Sequence, residues 1–71
     1  MAQLVTAILA NQGELDATAR QFTNDINEAS LMVGRVVTRA FTEFDTQMPA
    51  DAISQALRRD LDRMIAERRL S

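Results

Sequence analysis

Placed on a helical wheel at about 100° per residue, most large apolar residues ahead of residue 49 gather on one side of the chain. Leu15, Ala19, Phe22, Ile26, Ala29, Val33, Val36, Val37, Ala40, Phe41, Phe44 and Met48 form a single stripe. The stripe is about 140° wide, enough for a helix that faces a core. Glu14, Asp25, Glu28, Arg35, Arg39 and Glu43 lie opposite it. Large residues recur every eleven positions, at Leu15, Ile26, Val37 and Met48, with Phe22, Val33 and Phe44 beside them. That period is about 3.67 residues per turn, which keeps a nearly straight helix in register with a neighbour.

Leu4 and Ile8 fall on the same stripe ahead of Gly13. One reading is a continuous helix from about residue 3 to 48, roughly 70 Å long at 1.5 Å per residue. The other breaks the chain at residues 11–14, "NQGE", with Asn11 capping and Glu14 completing a capping box. The preserved phase favours the continuous helix, because a real break ordinarily loses it.

Pro49 is the main punctuation. Proline pushes the preceding residue out of helical geometry and itself suits a first helical turn, so "FDTQMPADAI" reads as helix end, turn and new start. Asp51 then sits where the helix macrodipole favours an acid. Ile53, Ala56, Leu57, Leu61, Met64 and Ile65 make a second stripe on a helix over about residues 50–69. Arg58–Asp62 and Arg63–Glu67 are spaced as i,i+4 pairs on its outer faces. β-branched residues never alternate with polar ones over a useful length, so no strand is expected. The pattern therefore predicts an all-α helical hairpin in one domain spanning residues 1–71: a long helix, a turn at Pro49 and a shorter second helix.

A short helix of roughly 30 Å covers less than half of a 70 Å partner. Leu4, Ile8, Leu15, Phe22 and Ile26 would stay in water, which predicts association into an oligomeric bundle or a coiled-coil-like assembly. The expected protein interface is Leu15, Phe22, Ile26, Val33, Gly34, Val37, Phe41 and Phe44 on the long helix, with Ile53, Leu57, Leu61 and Met64 on the short one. Gly34 stands out, since an interior helical glycine costs about 1 kcal/mol against alanine. It shares an i+4 row with Ser30, Thr38 and Thr42, a shallow groove suited to a close helix crossing within or between chains. A tolerated surface glycine is the alternative.

Composition sharpens this picture. Hydrophobic residues make up 46% of 71, but 11 of them are alanine, which limits the core one copy can build. Chains this small usually lean on disulfides, a metal or a partner, and the absence of cysteine and histidine leaves the partner, a further copy above all. The longest wholly apolar run is four residues, too short for a membrane span, and the N-terminal stretch has no basic segment of the signal-peptide kind. A cytoplasmic protein is the default expectation.

Catalysis is not expected. Histidine, cysteine and tyrosine are missing, so the usual bases and nucleophiles are too, and there is no glycine-rich phosphate loop. Of the carboxylate pairs, Asp25 and Glu28 alone are spaced to share a helix face, and a solvated acidic face explains them better than a cation site. No cofactor or metal is implied. Asp60 falls inside the apolar stripe of the second helix, where a buried carboxylate would need a cationic partner such as an arginine of a neighbouring chain; the alternative is a stripe-edge residue that reaches water or pairs locally with Arg63.

Every basic residue is arginine, and five of the eight follow residue 57. "RRDLDRMIAERR" invites a nucleic-acid reading, but acids interleave with its arginines, no aromatic residue stands among them, and the net charge of the chain is −2. The leading expectation is a non-enzymatic interaction protein that self-associates or docks on a larger protein: an adaptor, small regulator or assembly subunit. The rivals are a nucleic-acid-binding regulator that reads with its arginine-rich C-terminal helix, and an inhibitor that folds fully only on its target.

Overall fold

A computed structural model describes residues 2–70 of the chain, and it is all-helical. Helix α1 spans Ala2–Phe22, α2 spans Ile26–Glu43 and α3 spans Ala50–Leu70. The expected single helix over residues 3–48 is therefore two helices, divided at Thr23, Asn24 and Asp25. It does not break at residues 11–14. Helix α1 passes straight through Gly13, and the Asn11 amide donates to the Ala7 carbonyl at 2.7 Å instead of capping a new start.

Local hydrogen bonding explains where the chain turns. The Thr23 N–H donates to the Ala19 carbonyl at 3.1 Å, completing the last turn of α1. The Thr23 hydroxyl then accepts from the Asp25 N–H at 3.1 Å. Asp25 is the N-cap of α2 with φ −82 and ψ 110, and its carboxylate accepts from the N–H groups of Asn27 at 2.9 Å and Glu28 at 3.4 Å. Thr, Asn and Asp side chains all compete with the helical ladder for backbone partners, and here three such residues stand in a row.

The second turn follows the expected punctuation. The Phe44 N–H closes α2 on the Ala40 carbonyl at 3.0 Å. Asp45 accepts from the Gln47 N–H at 2.8 Å, and the Met48 N–H donates to the Asp45 carbonyl at 3.1 Å. The Pro49 carbonyl accepts from the Ile53 N–H at 3.0 Å to open α3. Asp51 lies in its first turn and Arg68 and Arg69 in its last, each at the end the helix dipole favours.

Short connections make α1 and α2 antiparallel, and α2 and α3 likewise. Helix α1 packs against both of the others, giving a three-helix bundle of 34 × 20 × 18 Å. Its Cα radius of gyration is 11.9 Å, close to the roughly 11 Å of a compact domain this long. Leu4, Ile8, Leu15 and Ala19 of α1 meet Ala29, Met32, Val33, Val36 and Ala40 of α2, with Ile53, Leu57 and Leu61 of α3, in one core. Leu4, Ile8 and Leu15 are thus buried by their own chain, and the surface shortfall expected of a hairpin is largely closed.

The unbroken hydrophobic phase misled because the three-residue turn nearly preserves it. On one continuous wheel the buried faces of α1 and α2 differ by roughly 40°, well within the width of the stripe. The small rotation has clear consequences. Met32, outside the expected stripe, is fully buried, whereas Ile26 and Phe41, inside it, are 63% and 43% exposed. Ion pairing departs from expectation as well. Arg39 pairs with Glu43 at 2.9 Å and Arg68 with Glu28 at 3.3 Å, in place of the Arg58–Asp62 and Arg63–Glu67 pairs. The Arg68–Glu28 pair joins the end of α3 to the start of α2. Both side chains are about one-third exposed, so the pair contributes at most about 1 kcal/mol.

Substitutions at Asp25, Met32 and Phe41 test this architecture. Asp25→Ala removes the α2 cap and is expected to cost about 1 kcal/mol, lowering Tm by roughly 4–8 °C in a circular-dichroism melt, while Asp25→Ser retains most of the stability. Met32→Ala should cost about 2–5 kcal/mol and Phe41→Ala less than about 0.5 kcal/mol in dilute protein. The reverse order would place the core face of α2 where the continuous stripe put it.

Candidate interaction surface

With the core face of α2 turned inward, its opposite face is defined by residues three and four apart. Ser30, Gly34, Thr38 and Thr42 form a row down the middle of a shallow groove, with Asn27 at its upper end and Leu31, Arg35, Arg39 and Glu43 along one side. A Cβ built on Gly34 would meet nothing within 4 Å. None of the described helices crosses there, so the close crossing expected within the chain does not occur among the described residues. What remains is contact with another molecule or a surface glycine.

Large apolar side chains frame the row. Leu31 is 57% exposed on one side, Phe41 is exposed on the other, and exposed Ile26, four residues before Ser30, heads the row. Among the described residues, the other large exposed hydrophobics are Leu9 and Leu70, each on a different helix. The concentration on α2 is therefore a property of one face rather than a scatter of single residues. Some of its polar groups are engaged within the helix. The Thr42 hydroxyl donates to the carbonyls of Thr38 at 3.3 Å and Arg39 at 3.0 Å, and Arg39 is held by Glu43.

The residues expected at an interface divide into three groups. Leu15, Val33, Ile53, Leu57 and Leu61 belong to the chain's own core, and Phe22, Val37, Phe44 and Met64 are partly buried against it. Ile26, Gly34 and Phe41 are exposed, and all three stand on α2. Leu31 is not among the expected residues. Its 57% exposure follows from the rotation of the buried face, which the sequence pattern alone does not locate.

The remaining surface offers little chemistry. Asp25 caps α2 and Glu28 pairs with Arg68, so the one carboxylate pair sharing a face serves the helix start. No cluster of three or more acidic, histidine or cysteine residues suited to a metal occurs among the described residues. Asp60 is partly exposed at the edge of α3 and no charged side chain is buried among the described residues, so it sits as a stripe-edge residue. A cleft of about 120 Å³ between α1 and α3, lined by Asn11, Glu14, Leu15, Ser54, Gln55 and Arg58, falls below the roughly 300 Å³ at which small-molecule sites begin. No helix among the described residues is long and apolar enough to cross a membrane.

Comparison with family models, curated proteins and solved structures finds no significant match to this chain.

Because both glycines are helical and open to solvent, Gly34→Ala and Gly13→Ala are each expected to raise stability by about 1 kcal/mol in dilute protein. The readout is a Tm increase of roughly 4–8 °C. A decrease at Gly34 would mean that something already packs on it.

Proposed function

We propose that this chain is a non-enzymatic helical interaction module that engages another protein, a further copy of itself or a larger partner, through the outer face of α2. The observation that carries the reading is the row of small residues centred on Gly34 and flanked by exposed Leu31 and Phe41. A row without side-chain bulk lets another helix approach closely, and the flanking Leu and Phe supply knobs on either side of that approach. Weak fit to the rival reading adds support. Of the arginines on α3, Arg68 reaches Glu28 and Arg69 lies over the Phe22 ring at 5.8 Å, so part of the basic set is turned toward the bundle instead of toward phosphates.

A photo-crosslinking amino acid at Thr38, with the same group at Ala17 on the solvent face of α1 as control, separates the possibilities. Crosslinking at Thr38 well above Ala17 is expected, to a second copy or to a protein partner, and the double substitution Leu31→Glu, Phe41→Glu should reduce it at least tenfold. The melting curve of that variant should shift by no more than a surface substitution allows, about 0.5 kcal/mol per site. Equal crosslinking at the two positions would sink the proposal.

A further inference from the structure

The turn between α1 and α2 has an unusual combination of properties. The apolar faces on its two sides stay within roughly 40° of one another when the wheel is carried straight through residues 23–25, less than half the step between successive residues. Nothing in its backbone demands a bend: Thr23, Asn24 and Asp25 include neither glycine nor proline, and no described residue has a positive φ. Side-chain hydrogen bonds from Thr23 and Asp25 cap the interruption, and within the turn itself straightening requires only that these give way to the ordinary helical ladder, while the core contacts of α1 must be re-formed elsewhere. Helix α1, meanwhile, packs on both other helices and is joined to α2 through residues 23–25 alone.

We propose that the chain exchanges α1 with a second copy. Residues 23–25 become helical and α1 and α2 join into one helix over residues 2–43, roughly 63 Å long at 1.5 Å per residue. Each α1 then lies on the α2 and α3 of the other copy. The core contacts of the closed bundle are re-formed across chains, so only the hinge and the new contact between hinges decide the balance. That contact is self-complementary. Two such helices running antiparallel about a two-fold axis near Asn24 bring Phe22 of one copy against Ile26 of the other. In the closed chain Phe22 is half-buried and Ile26 is 63% exposed, and the exchange covers both. Of the exposed apolar residues of α2 only Ile26, at its start, takes part; Leu31, Phe41 and the Gly34 row do not, so substitutions at Leu31 and Phe41 test the preceding proposal without touching this one.

The test favours the straight hinge and then asks how the dimer is built. Replacing Thr23, Asn24 and Asp25 by alanine removes the cap, an effect of about fivefold per chain and so about 25-fold or more on the monomer–dimer constant. Light scattering should show twice the 7.9 kDa of the chain. Small-angle scattering should give a longest dimension of about 60 Å or more, against the 34 Å extent of the closed bundle. Differently tagged dimers should exchange subunits only after unfolding. Adding Ile26→Glu to the alanine variant should restore the monomer at unchanged helicity, and two glycines inserted into the alanine variant itself between positions 24 and 25 should abolish the dimer. If the triple variant does not fold, Asp25→Ala alone is read in the same way. An alanine-hinge protein that remains monomeric at its solubility limit, or a dimer that trades subunits within seconds, overturns the proposal.

Discussion

The reversal of the chain at Thr23–Asp25 is the constraint from which the rest of the bundle follows. Carried straight on, α1 would project beyond the reach of α3 with Leu4, Ile8 and Leu15 in water. Folded back, it lies between α2 and α3 and completes a core that neither could close alone. The energy that fixes the turn is small. An N-cap contributes about 1 kcal/mol, and the Thr23–Asp25 bond is of the same order or less. Burial of the apolar face of α1 against two helices stabilises far more, at about 25 cal/mol per Å² of apolar surface. The caps choose the geometry, and the core holds it.

That closure changes the case for association. In an open hairpin the need for a partner would come from apolar residues along the whole stripe. In the three-helix bundle most of those residues are satisfied internally, and exposed apolar surface is concentrated on the side of α2 that faces away from the core. A single helix face is small beside the roughly 800 Å² per partner of a standard stable interface. It suits a partner groove that wraps the helix, or a transient encounter, better than a flat permanent contact. The composition points the same way. A chain without histidine, cysteine, tyrosine or lysine has few groups with which to do covalent or acid–base chemistry, and among its charged residues Asp25 is engaged in a cap and Arg39, Glu43, Arg68 and Glu28 in ion pairs.

The proposed hinge and the proposed interaction face lie on one short segment. Residues 23–25 form the turn whose straightening would release α1 to a neighbour, and residues 27–43 carry the exposed groove. Because a closed and an exchanged chain share nearly all their core contacts, hinge contributions of about 1 kcal/mol are large on the scale that matters. Phe22 and Ile26 flank the turn one helical turn apart, so a straightened hinge would align them on a single face.

Local signals in the chain suffice for its helical character, the start of α3 after Pro49, the apolar faces of Leu57 and Leu61, and the acid and arginines at the two ends of α3. Periodicity, proline geometry and the helix dipole set these features without reference to distant segments. A local signal for the other break is present too, in Asp25 and Glu28 ahead of an apolar run, but the continuous phase outweighs it. Packing between helices, by contrast, is what turns Met32 in and Ile26, Leu31 and Phe41 out, and leaves Gly34 without a neighbour. A wheel records directions around one axis, and a turn that preserves phase while reversing the axis leaves no mark on it. Which part of a broad stripe is buried depends on where the neighbouring helices lie, and that is a relation between segments distant in the chain.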